Sequence, residues 1–503
     1  MTTFDGLGLR NRRAIPLAAV PREETARFRE TVMQAVRDRW RLVALFGSPD
    51  AGGRTLLIAV LAQDERGQLG AVSTLVQGRY DAITPDCPEA HLFEREIAEQ
   101  CGVVPVGHPW PKPVRRHPAD HRSAGTRQDP IDRDQYPFFQ FEGEEVHEVA
   151  VGPVHAGIIE PGHFRFQAHG EEVLFLEIML GYQHRGVERL LETRRWPKAV
   201  LVAESIAGDS VIGHASAACG AIEALARSRK TPRAQTVRGI ALELERLANH
   251  IGDLGAISGD IAYQPAASYF GRMRGEYLNL LMTLSGNRYG RGLIRPGGTL
   301  FDIPPAMAEE MHSRLQALSA ELESVAHLML KNASVQARLE GVGVVTRKAC
   351  LDLGLVGVAA RACEVPRDVR HDHPYGLFRF AHIPVATAWA GDVLARTLVR
   401  WLEIQRSLEF VIDQLHALPR GRVQVECGSL QADEIVVSLE EGWRGEIAHV
   451  LITDGSGGVR RHKVVDPSFH NWAALATAMP GNQISDFPLC NKSFNLSYAG
   501  HDL

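Results

Sequence analysis

The stretch RGIALELERLANHIGDLGAIS, residues 238–258, carries the clearest periodic signal in the chain. Its large apolar residues recur three or four positions apart, at Ile240, Leu244, Leu247 and Ile251. This is the spacing of one buried face of an α-helix, so the pattern predicts a helix over the whole stretch. The fold class follows from what surrounds this helix on either side.

Further helical patterns dominate between residues 171 and 418, and strand-like alternation occurs near both ends of that part. The other clear helical patterns cover residues 215–227, 268–285, 305–330 and 388–418. The alternating runs, which predict strands, cover residues 144–151, 163–167, 422–427, 434–439 and 446–453. GSGG at 455–458 then predicts a hairpin turn rather than a nucleotide site, and a last helix is predicted at 471–479.

The first 107 residues predict a small domain of their own. A helical pattern covers 25–41, two strand-like runs cover 42–47 and 55–61, and a second helical pattern covers 90–101. Residues 108–144 are rich in Pro, Arg, His and Asp without apolar periodicity, which is typical of a linker. We therefore predict an α+β protein. It has an α+β domain at 1–107, a polar linker at 108–144, and a mainly helical domain with β elements near both ends at 145–503.

Composition excludes several classes of protein. The net charge is −5 over 503 residues, which gives no drive toward nucleic acid. The sequence shows no basic start followed by a long apolar run, and no window of 18 apolar residues, so neither a secretory signal nor a membrane span is predicted. The seven cysteines stand singly, which favours a reducing cytoplasm over a disulfide framework.

Several long strings occur in a characteristic order. They are GPVHAGIIEPGHFRF (152–166), GYQHRGVERLLETR (181–194), ELERLANHIGDLG (243–255), GLIRPGG (292–298), RDVRHDHPYG (367–376), EGWRGEI (441–447) and GNQISDFPL (481–489). Together they resemble the large subunit of membrane-bound [NiFe]-hydrogenases of the formate hydrogenlyase type, and the homologous quinone-site subunit of complex I. HLFEREIAEQCGVVPVGHP (91–109) is similar to the small partner subunit of complex I, which is fused ahead of the large domain in the hydrogenlyase type. In that stretch we expect His91, Glu94 and Arg95 to be interface residues.

The resemblance implies where a nickel centre would be held. In the hydrogenases four cysteines bind nickel, two of them bridging to iron, because soft thiolates suit these metals. The matching positions here are Ala207 and Ser210 in SIAGDSVIGH, and Ser497 and Gly500 in FNLSYAGHD. Cys490 is displaced from the motif. No nickel–iron centre is therefore expected in this chain.

The resemblance to complex I implies a quinone headgroup site, and here too the ligands differ. His155 matches the first histidine of the family loop, but Ile159 stands at the histidine that binds the headgroup, and Gly208 stands at the family tyrosine. His163 and His214 are candidate substitutes, or else hydrogen-bonded structural histidines. Asp260 matches the acidic partner of the quinone histidine.

Other charged family positions are retained. His184, Arg185 and Glu188 match the HRGVER motif that lies near the iron–sulfur cluster and the active cavity, and Glu188 is either a proton relay or half of a structural ion pair. Arg295, and a second set of Asp368, Arg370 and Asp372, are candidate charged networks. Their alternative role is to order loops, because buried charges must be paired.

The resemblance implies a peripheral-arm subunit of a membrane-bound, complex I-like respiratory assembly on the cytoplasmic side of the bacterial inner membrane. Its partners would be a [4Fe–4S] small subunit, a ferredoxin-like subunit and antiporter-like membrane subunits. Electrons would pass from the partner's cluster to an acceptor, a quinone being favoured, with ion translocation coupled to the transfer. The reaction would be of the NADH:quinone oxidoreductase or hydrogenase-related type, and this chain would bind no cofactor itself. The second alternative is a redox-silent coupling subunit, and the third is a functional hydrogenase.

Overall fold

Helices and small sheets alternate along a computed structural model that describes residues 9–50, 52–115, 136–155, 159–194 and 196–503. This arrangement confirms the predicted α+β class. The GSGG turn at 455–458 also lies between two strands, as predicted.

The N-terminal part forms around a four-stranded sheet in the order β2-β5-β4-β3. Nearly every residue of β3 and β4 is buried, which explains their continuous apolar runs. Helix α1 ends at Arg37, earlier than predicted, because Arg39 adopts a left-handed conformation with φ 64°. The elements are β1 (Ile15–Pro16), β2 (Arg22–Glu23), α1 (Thr25–Arg37), β3 (Arg41–Pro49), β4 (Thr55–Gln63), β5 (Gln68–Val76), β6 (Arg79–Asp81), α2 (His91–Cys101) and β7 (Val104–Val106).

Both described ends of the predicted linker pack against neighbouring elements. Strands β8 (Val146–Val151), β9 (His163–His169) and β10 (Glu172–Met179) form a three-stranded sheet. Lys112 Nζ is 2.6 Å from Glu177 on β10, and Arg115 Nη1 is 2.7 Å from Glu96 on α2. Residues 116–135 of the predicted linker lie outside the described residues, and the domain limits stay a prediction.

The central part is a bundle of helices around α6, which is buried along most of its 29 residues. Helix α6 begins at Pro232, before the predicted residue 238, because Thr231 caps its N-terminus by accepting a hydrogen bond from Ala234 N. It packs against α7 and α13. The elements are α3 (Val187–Thr193), α4 (Trp196–Ala203), α5 (Val211–Leu225), α6 (Pro232–Asp260), α7 (Gln264–Ser285), β11 (Ile294–Arg295), β12 (Gly298–Thr299), α8 (Pro305–Leu330), α9 (Ala333–Leu339), α10 (Arg347–Asp352), α11 (Gly357–Arg361), α12 (Val369–Asp372) and α13 (Val393–His416).

The C-terminal part contains a second four-stranded sheet, in the order β1-β13-β14-β15. Its elements are β13 (Glu434–Gly442), β14 (Gly445–Thr453), β15 (Val459–Val465), α14 (Pro467–Ala478), α15 (Phe487–Phe494) and α16 (Tyr498–His501). The edge strand β1 comes from the N-terminus, with Ile15 opposite Ile435. A strand at residues 15–16 therefore completes a sheet whose other strands come from residues 434–465.

The predicted strand at 422–427 is wrong. Only Gln424 forms a bridge, to Gly298, and the segment otherwise bonds the β11–β12 turn through Val425 N to Gly297 O at 3.0 Å. A methyl group on Gly297 or Gly298 would collide with this segment, so its close approach depends on the two glycines. The alternating residues therefore lie alongside the β11–β12 turn and not alongside a neighbouring strand.

Helix α5 packs on β13 and β14, while β3 of the N-terminal part packs on β15. A buried ion pair joins β3 to this sheet. Both terminal nitrogens of Arg41 on β3 donate to the carboxylate of Glu446 on β14, at 2.6 and 2.7 Å. Sheet β13–β15 thus lies between the helical bundle and the N-terminal part. Among the described residues, no helix is long and apolar enough to cross a membrane.

Candidate functional site

Ala207, Ser210, Ser497 and Gly500, the positions that match the nickel cysteines, converge on one place in the fold. Ala207 and Ser210 lie just before α5, and Ser497 and Gly500 lie at the cap and within the single turn of α16. Two sets of side-chain contacts join these segments, which are almost three hundred residues apart in sequence. We call the four residues the convergence site.

Arg444 makes the first connection across the convergence site. Its Nε donates to Asn495 O at 2.5 Å, and its Nη1 donates to Ser210 Oγ at 3.2 Å. The two terminal nitrogens also form a bidentate pair with Asp209, at 2.6 and 2.7 Å. Burial acts to lower the pKa of Arg444, but the Asp209 carboxylate outweighs it and raises that pKa. A permanent cation therefore stands at the site.

Asp466 makes the second connection. Its Oδ2 is 2.9 Å from Nε2 of His214, whose backbone N–H bonds Ser210 O at 3.2 Å. On the other side, a methyl group placed on Gly500 would lie 2.5 Å from Cγ of Asp466, so glycine is required there. The carboxylate of Asp466 is thus held between the two converging segments.

A nickel–iron centre does not fit these residues. Methyl, hydroxyl and hydrogen side chains at the four positions offer no thiolate, which such a centre needs as its bridging ligand. Cys490 Sγ points instead toward Gly343, beside Arg396. Within the described ranges, no group of His, Cys, Asp or Glu residues is arranged to hold a metal ion.

Glu160 is a site residue that the sequence analysis missed. Its Oε2 accepts hydrogen bonds from the backbone N–H groups of Tyr498 and Ala499, at 3.2 and 3.4 Å. Burial raises the pKa of Glu160, and the charge of Asp209 acts in the same direction, against the amides and Arg444. The available signal was a single acidic residue inside the apolar run GIIEPGH.

The two positions that replace the headgroup ligands face open space. Ile159 has 53% of its surface exposed, and a methyl group on Gly208 would meet nothing within 4 Å. Their successors in sequence, Glu160 and Asp209, are close enough to affect each other electrostatically. Ile159 and Gly208 therefore flank the same side of the site, next to two carboxylates and a guanidinium.

His155 lies four residues before Ile159 in the chain, and His163 lies four residues after it, at the start of β9. The ring of His155 packs 5.5 Å from that of Phe164, and residues 156–158, which follow it, lie outside the described residues. His163 is buried at the start of β9, with Nδ1 3.3 Å from Gly152 O. The match of His155 to the first histidine of the family loop, and the role of His163 as a substitute for the headgroup histidine, stay predictions.

Comparison with known proteins decides the family. The family described as "Respiratory-chain NADH dehydrogenase, 49 Kd subunit" matches residues 260–434 and 425–502. One NADH-quinone oxidoreductase subunit, from Dehalococcoides mccartyi, is 30% identical over 342 residues, covering 67% of this chain and 92% of that protein. The chain belongs to this family. The resemblance predicted from its motifs is confirmed.

Hydrogenase subunits match a larger part of this member of the 49 kDa family. Hydrogenase-4 component G of Escherichia coli is 28% identical over 440 residues, covering 84% of this chain and 76% of that protein. Formate hydrogenlyase subunit 5 of the same organism is 28% identical over 438 residues, covering 84% and 77%. These two matches extend over more of the chain than the match to the oxidoreductase of Dehalococcoides mccartyi.

The HRGVER motif of the family lies beside the convergence site. His184 Nδ1 is 3.1 Å from Asp502 O, and the Asp502 carboxylate accepts from the backbone N–H groups of Gly181 and Gln183. Arg185 donates to the carbonyls of Ser205 and Ile206, both at 2.9 Å. The motif therefore ties the C-terminus to the segment that leads into Ala207.

Glu188, from the same motif, is buried in an ion-pair cluster under β15. It accepts from Arg461 Nη2 at 2.8 Å and from Val464 N at 3.0 Å, and lies 3.0 Å from Lys463 Nζ. Lys463 also contacts Glu96 of the N-terminal part at 2.6 Å. This placement favours the ion-pair alternative for Glu188, and its role in proton transfer stays a prediction.

The structure places Asp260 at the C-terminal end of α6 with an exposed side chain, apart from the convergence site. A different acid of α6 reaches toward the site: Asp253 accepts from Asn495 Nδ2 at 2.5 Å and from Arg400 Nε at 2.7 Å. Because Asn495 O in turn accepts from Arg444, Asp253 supports the site indirectly. The assigned role of Asp260 stays a prediction.

The remaining charged candidates fall in two separate places. Arg295 Nη1 bonds Glu204 at 2.9 Å, close to β11. Asp368 and Arg370 pair with each other at 2.6 Å next to α6, and Asp372 accepts from Asp368 N at 3.0 Å. The geometry favours the loop-ordering alternative for both sets.

Glu94 and Arg95, which we expected to be interface residues, form hydrogen bonds within this chain. Glu94 is fully buried and accepts from Ile83 N and Thr84 N, at 2.8 and 2.9 Å. Arg95 donates to the carbonyl of Lys112 at 2.6 Å. They order the turn before α2 and the start of the predicted linker, and their role as interface residues stays a prediction.

Proposed function

We propose that the chain is the large, peripheral-arm subunit of a membrane-associated respiratory complex. Its relatives include formate hydrogenlyase subunit 5 and subunits of an NADH-quinone oxidoreductase and an F(420)H(2) dehydrogenase, whose names all describe parts of larger assemblies. Electrons would come from a [4Fe–4S] cluster in a neighbouring small subunit, and ferredoxin-like and antiporter-like subunits would complete the complex. It would lie on the cytoplasmic side of the bacterial inner membrane and couple electron transfer to ion translocation.

The acceptor we propose is a quinone, bound at the convergence site. One observation carries this proposal: two motifs far apart in sequence meet there, around a buried cation and a carboxyl group whose pKa is raised. Reduction of a quinone takes two electrons and two protons and places negative charge on its oxygens, which a fixed cation stabilises. Arg444 is suited to that role and Glu160 to donating a proton, because the raised pKa favours its protonated form.

These two residues replace donors that the chain lacks. Neither Ile159 nor Gly208 has a side chain able to donate a hydrogen bond to a quinone carbonyl. Glu160 directly follows Ile159, and the carboxylate of Asp209, which follows Gly208, binds Arg444. Glu160 therefore enters the site from the segment of Ile159, while Arg444, in the turn between β13 and β14, is held there by Asp209 from the segment of Gly208.

The test uses the purified intact complex. Its iron–sulfur cluster is reduced, decylubiquinone is added, and quinol is measured together with the nickel content. We expect quinol formation and no stoichiometric nickel. A cluster that is reduced and reoxidised by other acceptors while no quinol forms would contradict the quinone proposal, and stoichiometric nickel would favour a functional hydrogenase.

A second candidate function is a redox-silent coupling subunit. The bidentate Arg444–Asp209 pair favours it, because this pair and the Trp443 ring, 3.9 Å from the guanidinium, occupy part of the space at the site. Conservative variants discriminate the two functions. If Glu188→Gln and Asp260→Asn both leave turnover of the intact complex unchanged, the scaffold role is favoured, whereas a loss in either supports proton-coupled chemistry.

A further inference from the structure

Four buried side chains form one continuous chain of hydrogen bonds next to the convergence site. Oδ2 of Asp466 is 2.9 Å from Nε2 of His214, and Nδ1 of His214 is 3.2 Å from Nε2 of His449. Nδ1 of His449 is 2.9 Å from Nε2 of His462. Each of the four residues has at most 2% of its surface exposed. We call these four residues the histidine chain.

Strand register brings the histidines together. In the β14–β15 pair, Leu451 lies opposite His462 and His449 lies opposite Val464. Because side chains alternate between faces, His449 and His462 are diagonal neighbours on one face of the sheet. Helix α5 packs on β14 and contributes His214, while Asp466 caps the helix α14 that follows β15. Three adjoining elements therefore build the chain.

The hydrogen bonds give the chain a direction. Although burial opposes it, the hydrogen bond from His214 lowers the pKa of Asp466, so this carboxylate only accepts. Burial lowers the pKa of His449 and brings that of His462 to about 3, so both rings are neutral at pH 7. A neutral imidazole has one N–H and one acceptor nitrogen. Because Asp466 only accepts, Nε2 of His214 must donate to it. When the rings each carry one proton, every Nε2 in the chain is then a donor and every Nδ1 an acceptor.

The outer end of the chain is close to the surface. His462 lines a small cavity, about 10 Å3 in volume, together with Arg194, Trp196 and Val459. This is about the volume that one water molecule needs. Arg194 is exposed, and Trp196 and Val459 are half-buried. A water molecule at His462 would therefore lie among side chains that are themselves partly open to solvent.

The inner end is the carboxylate between the two segments of the convergence site. Oδ1 of Asp466 accepts from Ser468 N at 2.8 Å, while Oδ2 faces His214. Ser468 Oγ accepts from Ser497 N at 2.9 Å, and Gly500 lies against the carboxyl carbon. A proton that reached Asp466 would be within the site itself.

We propose that the histidine chain is a proton relay from the surface near Trp196 to the convergence site. A proton binds Nδ1 of His462, and the Nε2 proton of that ring moves to Nδ1 of His449. The same step repeats from His449 to His214, and the Nε2 proton of His214 moves to Oδ2 of Asp466. One proton enters, one appears on Asp466, and no electrons move.

Each transfer leaves the three rings with the proton on Nδ1, so the chain must reset by reverse transfer or ring rotation before it conducts again. Only the identity of the final proton acceptor, a reduced quinone, rests on the proposed function. The charges facing the chain include Glu188 and Arg461 near His462, Glu188 and Arg12 near His449, and Arg444 near Asp466. Glu188 favours a proton on His462, whereas Arg461 opposes it.

The first test reads the resting state of the relay without any activity. Nitrogen-15 NMR of the full chain, labelled at histidine, reports which ring nitrogen carries the proton. We expect the proton on Nε2 in all three rings, and we expect His449 and His462 to be neutral at pH 7. A proton on Nδ1 of His449 in the resting protein, or a doubly protonated ring, would overturn the proposal.

The second test breaks the relay but keeps its hydrogen bonds. In His449→Gln the amide oxygen accepts from His462 and the amide N–H donates to His214, but an amide does not pass a proton on. We expect decylubiquinone reduction by the intact complex to fall by about 10–100-fold, with cluster reduction and the thermal midpoint unchanged. The matched control is His470→Gln, a buried histidine of α14 outside the chain.

Turnover of His449→Gln equal to that of His470→Gln would overturn the relay. If the wild-type complex reduces no quinone at all, the proposed function fails, and the tautomers of the three histidines still decide the relay. The two failures are therefore distinguishable.

Discussion

The histidine chain and the arginine–carboxylate cluster at α6 are both buried and polar, but they consist of different chemical groups. The cluster joins Arg246, Arg361 and Arg370 to Glu243, Asp368, Glu403 and Glu441. Its three arginines are permanent charges that need carboxylate partners, because an unpaired charge in the interior is costly. The histidine chain contains three imidazole rings and a single carboxylate.

This difference separates stability from chemistry. Guanidinium groups do not release protons at neutral pH, so the arginine cluster cannot conduct them and serves to order α11, α12 and α13 around α6. Imidazoles exchange protons readily, so the histidine chain can act in catalysis while contributing little to stability. Substitutions in the arginine cluster should therefore cost more stability than substitutions in the histidine chain.

Removing the central cation of the arginine cluster should give the largest effect. Arg361 donates to Glu403 and Glu441, both at 2.8 Å, and is completely buried. Arg361→Met takes its arginine partner from Glu441 and leaves Glu403 with Arg246 and His250. The loss should cost about 3–5 kcal/mol, measured by hydrogen exchange of the α11 and α13 amides. Lys348→Met, at an exposed pair with Asp352, is the control and should change little. Equal protection in both variants would contradict a structural role for the cluster.

A smaller loss is expected where the histidine chain meets the convergence site. Gly500→Ala places a methyl group 2.5 Å from Asp466 Cγ, so the carboxylate must move away from His214. Such overpacking should cost about 1–3 kcal/mol, read from the shift in thermal unfolding, and should change the NMR signal of His214.

The control for that prediction is another glycine-to-alanine change with the opposite sign. Gly275 lies inside α7, and a methyl group there meets nothing within 4 Å. Gly275→Ala should stabilise the protein by about 0.5–1 kcal/mol through helix propensity alone. If Gly500→Ala were equally stabilising, Asp466 would not be held against Gly500 as described.

The smallest effect on stability is expected in the middle of the histidine chain. Because glutamine keeps one donor and one acceptor, His449→Gln should lower the free energy of unfolding by less than about 1 kcal/mol. Urea unfolding beside Arg361→Met gives the comparison directly. A loss as large as that of Arg361→Met would show that the two buried regions do not differ in the way proposed.

Much of the fold could be predicted from local sequence patterns. Where a prediction failed, the cause lies in the residues next to that segment. The period of residues 238–258 predicted α6, and a threonine before Pro232 explains its earlier start. The alternation at 422–427 predicted a strand, but periodicity does not show whether a partner strand is available. Here the neighbour is the β11–β12 turn, so a bridge forms in place of a ladder.

The site could be predicted only in part, because its residues meet through tertiary contacts. Family motifs identified Ala207, Ser210, Ser497 and Gly500, which periodicity alone does not connect. Glu160 was missed between two positions that were considered, and the partners of His214 were missed as well. His449 and His462 look like ordinary strand residues, and only the register across the GSGG turn makes them neighbours.

A quinone at the convergence site should take electrons from the reduced cluster and a proton from Glu160. In a single turnover, the reduced complex is mixed with decylubiquinone, and reoxidation of the cluster is followed by rapid-freeze EPR. We expect reoxidation in the wild type and in Glu145→Gln, an exposed control. In Glu160→Gln it should be slower by about 10–100-fold. A wild-type cluster that stays reduced in the presence of the quinone, or equal rates in Glu160→Gln and Glu145→Gln, would contradict the claim.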